Sequence, residues 1–497
     1  MTEKYRPLTN RLLFLSVLTS LFVVSVIVIT GCGGGSSPGG TTVPPSQNCV
    51  APGAPTAQVP LLFTSDAALG PLTSFQLGIT SIMLTDACGH SVTAYTGPTQ
   101  ANTVQGVSTI EITHVNGVSE PLTVTTLPQA TYATASVSYT VVDIAYLYPD
   151  NLHFVDSLQV TNPISGAVEL AAPIVVDGKG TVITLDTLLT GPIVLGPAAV
   201  GSRVVTVTPA FSVSEFRPAT TPSSDRNGKA NLHGIVSSIG EGQFTMNNSS
   251  GFPLTISASS STVLQGIGSL SALPPNVPAD VDVAIQTDGS LLATRIQVED
   301  ASALGAWIGP LVGTYSTGAY QEILPRLWQD PTSPTHTSND YPYRFQFTDN
   351  TPYQLNGAAY DLTDLPFTPT FVAFSDVALG QGLSISWTTQ QLLGSQPQTE
   401  ARAATLMPRT FSGSITSVIT QDNYTEYTLT LANNDFMVPL NNVTSITAYT
   451  NAGTRMEDGP LSMGMAVNLH GLLFSDRGAL RLVCDQTRLQ QSPNQSD

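Results

Sequence analysis

The six histidines of this 497-residue chain are the first candidates for acid–base or metal chemistry, and their spacing in the sequence supports neither. No two of them stand at the spacing of metal ligands, and no His-Glu-x-x-His is present. Ser-x-x-Lys and the phosphate-binding Gly-x-x-x-x-Gly-Lys are also missing. We therefore predict no catalytic residue, no metal site and no enzyme activity. The histidines are His90, His114, His153, His233, His336 and His470.

Two oxygen-rich segments are candidates for calcium binding. Asp280-Val-Asp282 and the Asp-Arg-Asn-Gly segment at 225–228 offer the oxygen ligands that Ca²⁺ prefers. Neither follows the spacing of an EF-hand loop, so both are predicted to be solvated turns. A glycosidase pair of carboxylates would have to converge from distant strands, and the many acids of the chain make such a pair uninformative.

A group of aromatic residues between positions 305 and 390 is the remaining candidate for binding. Trp307, Trp328 and Trp387 fall there with Tyr341 and Tyr343. Exposed aromatic rings would form a platform for carbohydrate, which makes a glycan a candidate partner. Aromatic residues also fill the core or rim of β domains. The sequence leaves both interpretations open.

The four cysteines indicate an exported protein. Cys32 belongs to the N-terminal segment described below, which leaves Cys49, Cys88 and Cys484. In an oxidising compartment, three cysteines permit one disulfide. We favour Cys49–Cys88, because this pair would fix the end of a flexible segment to the first domain, although three free thiols remain an alternative. No Cys-x-x-Cys is present, which excludes a zinc ribbon or a thioredoxin-type site.

The N-terminus has the organisation of an export signal. Three basic residues precede residue 12, and residues 12–29 are apolar apart from four Ser or Thr. The segment Ile29-Thr-Gly-Cys32 resembles the lipobox of bacterial lipoproteins, which implies cleavage before Cys32 and a covalent lipid on that cysteine. The alternative is a membrane-spanning helix ending at an ordinary cysteine. Gly33 stands where Asp is associated with retention at the inner membrane, so the resemblance implies an outer-membrane location.

The charge of the chain excludes nucleic acid as a partner. There are 17 Lys and Arg against 35 Asp and Glu, and residues 12–178 contain no Lys or Arg at all. Loss of residues 1–31 removes three basic residues and one acid, which leaves a net charge of −20. An acidic surface repels anionic headgroups. Attachment to a membrane is therefore expected to depend on the lipid at Cys32, with no other cofactor.

Short runs of alternating polarity dominate the chain after residue 57, as in half-buried strands. Examples are 75–79 and 133–139, and turn pairs such as Asn-Gly and Asp-Gly recur between the runs. We therefore predict an all-β fold, with an N-terminal β-sandwich followed by two or three small β-barrel modules of the OB type. The predicted segments are a signal at 1–31, a Gly/Ser/Pro tether at 32–56, a sandwich at 57–216, a linker at 217–230, and modules at 231–304, 305–410 and 411–490.

The first domain resembles a known family of envelope domains. The segments Leu62-Phe-Thr-Ser-Asp-Ala67 and Leu122–Tyr132 are similar to those of domain of unknown function 4382, although Ala68 and Ala130 depart from its Pro and Gly. The resemblance implies a β-sandwich at the cell envelope with no established activity. Ile82 and Leu84 have the opposite parity to the preceding apolar residues, which predicts a bulge near Thr80-Ser81.

The C-terminal half contains a repeat. Gly234-Ile-Val-Ser-Ser-Ile239 recurs as Gly413-Ser-Ile-Thr-Ser-Val418, and each copy continues through two strands, a Thr-rich strand and a final hairpin. This order is similar to domain of unknown function 5666, a small barrel-like envelope module. Residues 305–410 show a looser copy of the same order.

Two functions follow from these features. The first is a non-enzymatic envelope lipoprotein with a structural or binding role, anchored at the outer membrane and facing the periplasm or the cell surface, with an envelope protein or a glycan as partner. The second is an extracytoplasmic protein that binds carbohydrate or processes polysaccharide. The residues do not identify the ligand or the oligomeric state.

Overall fold

Antiparallel strands form nearly all the regular structure of the computed structural model. It describes residues 49–490, so the predicted signal, Cys32 and most of the tether lie outside the described residues. Gaps also fall at 66, 68, 71, 98–102, 105–106, 149–152, 159–163, 169, 171, 190–192, 196–204, 219–228, 249–250, 304, 316–319, 324–326, 329–342, 349, 357–359, 394–395 and 433–434. In the described part of the chain, no helix is long and apolar enough to cross a membrane.

Residues 56–216 form a two-layer β-sandwich, called the sandwich below. One sheet has the strand order β15-β12-β1-β7, and the other has the order β10-β8-β2-β3, with β6 paired to β2 and β9 and β11 paired to β8. The strands are β1 Thr56–Ser65, β2 Leu72–Asp86, β3 Ser91–Thr96, β4 Thr103–Val104, β5 Val107–Ser108, β6 Ile110–Glu111, β7 Glu120–Pro128, β8 Ala130–Tyr148, β9 His153–Leu158, β10 Ile164–Val168, β11 Ile174–Val176, β12 Val182–Leu189, β13 Val194–Leu195, β14 Val205–Thr206 and β15 Pro209–Phe216.

Strand β1 shows how this layer is buried on both sides. Val59, Leu61 and Phe63 alternate along it and pack into the core between the two sheets. Leu62 points to the opposite face and joins the core of the next domain. The register of β2 against β8 shifts between Ile79 and Ser81, which confirms the predicted bulge.

Three closed sheets follow, called barrel 1 (229–297), barrel 2 (305–407) and barrel 3 (409–489). Their strands are β16 Lys229–Gly240, β17 Gln243–Asn248, β18 Pro253–Ser257, β19 Val263–Gln265, β20 Pro278–Ile285 and β21 Leu291–Gln297; then β22 Gly305–Tyr315, β23 Tyr320–Ile323, β24 Leu327–Trp328, β25 Tyr343–Gln346, β26 Tyr353–Leu355, β27 Gly382–Leu393 and β28 Gln396–Met407; then β29 Arg409–Thr420, β30 Tyr424–Leu431, β31 Ser445–Asn451, β32 Arg455–Met456, β33 Ala466–Asp476 and β34 Ala479–Leu489.

The three barrels share one strand order. The first main strand pairs with the second and the fourth, the third pairs with the second, and the fifth closes the sheet by pairing with the fourth and, in parallel, with the third. The parallel closures are β18–β21, β25–β28 and β31–β34. This is the order of an OB-type barrel, and it confirms an all-β fold of a sandwich followed by small barrels. The described helices are short: 3₁₀ turns at Leu270–Ala272 and Phe374–Asp376, and α1 at Met437–Asn441.

The glycine that begins each sequence repeat has a steric cause. A Cβ atom at Gly234 would overlap the backbone carbonyl of Asn247 on the neighbouring strand, and one at Gly413 would overlap the carbonyl of Thr430 in the same way. The first strand leaves one neighbour and meets another near this residue. The repeated glycine therefore marks the close crossing that each barrel requires.

The domains bury apolar side chains against one another. Leu62 and Val182 of the sandwich belong to the core of barrel 1. Leu472, Phe474 and Val483 of barrel 3 belong to the core of barrel 2. Residues Gln47–Asp497 accordingly form one compact unit.

Candidate functional site

Three histidines that are far apart in the sequence meet where the sandwich and the three barrels converge. His114 follows β6 of the sandwich, His233 lies on β16 of barrel 1, and His470 lies on β33 of barrel 3. Together with Asn356 and Tyr360 of barrel 2, they line a cavity of about 80 Å³. We call this the central cavity.

Two of the imidazoles are in direct contact. The ring centroids of His114 and His233 are 4.6 Å apart, at an angle of 66°. Burial lowers the pKa of His114 well below its usual value, and the neighbouring rings of His233 and His470 lower it further. Burial also lowers the pKa of His233, against the opposing influence of Asp280. Both rings are therefore neutral near pH 7, and each keeps a nitrogen lone pair.

A network of buried charges lies beside His233. Asp280 accepts hydrogen bonds from Asn231 at 2.8 Å, from Arg295 at 3.0 Å and from Asn356. The guanidinium of Arg295 also donates to Asp282 at 2.7 Å. Burial opposes ionisation of Asp280, but the charge of Arg295 and these donors hold its pKa below the usual value.

This network joins two barrels as well as two strands. Asn356 belongs to barrel 2 and also accepts a hydrogen bond from Arg295 at 2.9 Å. The two carboxylates raise the pKa of Arg295, so the guanidinium stays charged although it is buried. A buried ion pair is tolerated only when its remaining donors and acceptors are satisfied. Here they are satisfied across the contact between barrels 1 and 2.

One nitrogen in this region has no hydrogen-bond partner. The side chain of His233 is only 4 % exposed, and its Nε2 is buried without a partner. Asp280 Oδ1 is 3.8 Å away, which is too far for a hydrogen bond. Leaving such a group unpaired costs about 1–3 kcal/mol. The position is therefore one where a polar occupant would be stabilised.

His470 is held by a carboxylate on the neighbouring strand. Its Nδ1 lies 2.7 Å from Asp485 Oδ1, and both residues line the central cavity. Burial and the charge of Asp485 raise the pKa of Tyr360 well above its usual value. Hydrogen bonding at Nδ1 fixes the orientation of the ring and leaves Nε2 as the second functional atom.

The disulfide lies at the opposite edge of the sandwich. Cys49 and Cys88 are bonded, with their Cα atoms 6.0 Å apart. The carboxylate of Asp86 accepts hydrogen bonds from the backbone N–H groups of Val50, Cys88 and His90. Burial opposes its ionisation, but these donors and the His90 side chain lower its pKa to about 2. The carboxylate thus fixes both chain segments that the disulfide joins.

One of the three tryptophans that were candidates for an aromatic platform is buried. Trp387 is 4 % exposed and packs in the core of barrel 2, so of the two interpretations left open by the sequence the core position holds for this residue. Leu383 and Ile385, at alternate positions of the same strand β27, belong to that core as well, so the ring of Trp387 is on the inward face of the strand. Trp307 and Trp328 are register partners on β22 and β24, and their side chains lie outside the described residues.

The remaining candidate residues are more dispersed. Asp280 is buried on β20, so the prediction of a solvated turn at Asp280-Val-Asp282 is wrong for this residue. Residues 225–228 and His336 lie outside the described part. Cys484 is a buried free cysteine in barrel 3, and burial raises the pKa of its thiol.

Sequence spacing did not reveal the central cavity, because its histidines come from three domains more than one hundred residues apart. A weaker signal was present in the repeat. His233 and Asp280 form a register pair in barrel 1, and Ser412 and Asn468 form the equivalent pair in barrel 3. A titratable pair that replaces a neutral one in otherwise similar repeats marks a specialised position.

Comparisons with known proteins identify part of the chain. Residues 233–297, which form most of barrel 1, match the family described as "Domain of unknown function (DUF5666)". No curated protein matches the chain. A solved structure described as "drosophila Unr CSD456" is similar at 11 % identity over 52 % of this chain and 97 % of that chain, with a TM-score of 0.13. A glycoside hydrolase of family 32 from Bifidobacterium adolescentis is similar at 9 % identity over 87 % and 67 %, with a TM-score of 0.10. Both TM-scores are too low to bear on fold or function. The resemblance to the 5666 family is thus confirmed for barrel 1.

Proposed function

We propose that this protein is a non-enzymatic envelope lipoprotein, anchored to the outer membrane by a lipid on Cys32. The disulfide between Cys49 and Cys88 is the observation that carries the proposal. A disulfide of this kind forms and persists in oxidising compartments outside the cytoplasm. Cys49 lies in the C-terminal part of the predicted tether, and the bond joins that part to Cys88 of the sandwich.

The architecture supports a structural or binding role. The sandwich shares a core with barrel 1, and barrel 2 shares a core with barrel 3, which suits a rigid body held at a membrane by a flexible segment. The resemblance of the first domain to domain of unknown function 4382 agrees with an envelope location. The burial of Trp387 removes part of the basis for a carbohydrate platform.

Metabolic labelling with a palmitate analogue tests the anchor. The wild-type protein is expected to be labelled and to fractionate with the outer membrane, because the lipid is its attachment. A Cys32→Ala protein is expected to lose the label and leave the membrane fraction. A Gly33→Asp protein serves as the matched control, since it keeps Cys32 and is expected to be labelled but to stay at the inner membrane. A Cys32→Ala protein that stays membrane-bound contradicts the anchor.

A further inference from the structure

The central cavity has more acidic than basic groups around it. The carboxylates of Asp282 and Asp485 line it, together with the guanidinium of Arg295. A third carboxylate, that of Asp280, pairs with Arg295 at 3.0 Å from outside the lining. Three carboxylates therefore surround one guanidinium, and the excess of negative charge favours a cation as the occupant of the cavity.

The hydrogen-bond donors of this lining are already used by its own acceptors. The amide of Asn231 donates one N–H to Asp280 and the other to Asp282. Both N–H groups of the Asn356 amide are engaged as well. Arg295 makes four hydrogen bonds within the network, and a guanidinium can donate about five. The lining therefore has few donors left for a ligand.

The groups that stay open are mainly acceptors. His470 Nδ1 lies 2.7 Å from Asp485 Oδ1. Because a carboxylate oxygen accepts, Nδ1 carries the proton and Nε2 keeps its lone pair. A carboxylate can accept about four hydrogen bonds, so Asp485 and Asp282 keep open acceptor sites too. This pattern is complementary to a cation that carries several N–H groups.

A buried nitrogen without a partner is the independent sign that the cavity takes a ligand. The His233 side chain is only 4 % exposed and lines the cavity, and its Nε2 has no hydrogen-bond partner among the described residues. The fold does not require such an open group, because Ser412 at the equivalent position of barrel 3 donates directly to Asn468 at 2.7 Å. Barrel 1 therefore keeps a polar atom open where a self-satisfied pair is sufficient.

The spacing of the open groups excludes a single metal ion. Ligands at about 2.0–2.1 Å from one ion lie within about 4.2 Å of one another. Among the described residues, no three of the histidines and aspartates that line the cavity bring their ligand atoms within even 4.8 Å of one another. The cavity of about 80 Å³ is several times the ~10–15 Å³ that one water needs, so it has room for a small molecule. A planar guanidinium, whose N–H groups point in different directions, can reach separated acceptors.

We propose that the central cavity binds one small organic cation of the guanidinium type. The carboxylates of Asp282 and Asp485 accept its N–H groups in charge-assisted hydrogen bonds. The Nε2 atoms of His233 and His470 are its further partners. A short alkyl substituent on the cation would pack on the apolar side chains of the lining, which are Val118, Met407 and Pro408.

This ligand class rests on the binding role proposed above, whereas its test does not depend on Cys32, so either proposal can fail without the other. The test uses the full chain, purified in detergent in a buffer free of amines and imidazole. Titration with methylguanidinium by calorimetry is expected to show one site per chain. Methylurea has N–H groups but no charge, and tetramethylammonium has the charge but no N–H group. Both are expected to bind at least tenfold more weakly.

A parallel titration with an arginine-containing peptide distinguishes two sources of the same chemistry. If methylguanidinium binds more tightly than the peptide, the ligand is a free small cation. If the peptide binds more tightly, the ligand is the arginine side chain of a partner protein. Failure of both to bind the wild type overturns the proposal.

Variants of the carboxylates locate the binding. Asp485→Asn keeps the size of the side chain and is expected to weaken methylguanidinium binding at least tenfold, because it removes a charged acceptor. Asp422→Asn is the matched control, since it makes the same change at an exposed position of barrel 3, and its affinity is expected to equal that of the wild type. Circular dichroism checks each fold, and Asp282→Asn decides the question if Asp485→Asn does not fold. Affinity that is unchanged in the folded cavity variants, or methylurea binding as tight as that of methylguanidinium, overturns the proposal.

Discussion

Barrel 1 and barrel 3 place different chemistry at one position of a shared topology. In barrel 1 the register pair is His233 and Asp280, which is buried, titratable and not directly bonded. In barrel 3 the register pair is Ser412 and Asn468, which is neutral and joined by a hydrogen bond of 2.7 Å. The glycine that follows the first member, Gly234 or Gly413, is the same in both.

The comparison separates the residues that the barrel fold requires from the polar pair that differs between the two barrels. The glycine crossing and the alternating apolar positions are common to both, because the closed five-stranded sheet requires them. The polar pair is free to vary, since it lies beyond the barrel core and faces the other domains. Barrel 1 uses it to build a network with Arg295 and barrel 2.

The largest expected effect tests the glycine crossing that barrel 1 and barrel 3 share. Gly234→Ala and Gly413→Ala each place a Cβ atom against a backbone carbonyl that has no space to move. Each change is expected to destabilise its barrel by about 5 kcal/mol or more, the range of severe backbone strain. Thermal unfolding by calorimetry measures both. Gly242→Ala is the control for substitution alone, because its Cβ would meet no neighbour, although its positive φ adds a small cost. If Gly234→Ala and Gly413→Ala differ greatly in their cost to stability, the glycine crossings of barrel 1 and barrel 3 are not equivalent.

The repeat made the barrels predictable from the sequence, but it carries no signal for the central cavity. Glycine, alternation and turn pairs are local signals that are read within ten residues. The bulge at Ile79–Ser81 was predictable from the change of parity for the same reason. The meeting of His114, His233 and His470 depends on how four domains dock, which no local pattern encodes.

The burial of two residues, Trp387 and Asp280, was not apparent from the sequence. Trp387 stands in the sequence among aromatic residues that could form a surface platform, but it lies inside barrel 2, because it has the same parity along β27 as the buried Leu383 and Ile385. Asp280 reads as a turn residue but is buried, because Arg295 and Asn231 satisfy its carboxylate. The partners that permit such burial come from other strands, so they become visible only in three dimensions.

A second prediction concerns the charged pair itself. Asp280→Ala leaves the guanidinium of Arg295 with fewer partners in a buried site, and breaking a buried ion pair costs about 3–5 kcal/mol. We expect a loss of about 4 kcal/mol in the free energy of unfolding, measured with urea. Asp422→Ala, which removes an exposed carboxylate on barrel 3, is expected to change stability by less than about 0.5 kcal/mol. A loss at Asp280 no larger than that at Asp422 would show that the network does not hold barrel 1 to barrel 2.

A third prediction concerns the pH dependence of stability and Glu299, which follows the last strand of barrel 1. Burial raises the pKa of Glu299 from 4.5 to about 7, against the hydrogen bond of Ser384. The folded state therefore resists an ionisation that the unfolded state undergoes near pH 4.5, and stability is lost as the pH rises from there to about 7. Glu299→Gln is expected to match the wild type at pH 4 and to exceed it by up to about 3 kcal/mol at pH 8.

Urea unfolding at the two pH values measures this difference. Glu241→Gln is the control, because Glu241 is an exposed glutamate of barrel 1, and its stability is expected to follow that of the wild type at both pH values. A gain that is equal at pH 4 and pH 8 would mean that Glu299 is not responsible for the pH dependence.

The smallest effect is expected at the neutral pair, and it completes the comparison. Ser412→Ala removes one uncharged hydrogen bond to Asn468, and such a bond contributes about 1 kcal/mol. The same measurement on the Ser462→Ala protein, which changes an exposed serine of barrel 3, gives the background. If the Ser412 change costs about a quarter of the Asp280 change, the two repeats differ in the energy stored at this position as well as in its chemistry. If the Ser412 change costs as much stability as the Asp280 change, the register pair is needed for the stability of both barrels. The charges of barrel 1 then add nothing to that stability. The ratio of the two losses therefore decides between a specialised position and a common structural one, independently of any ligand.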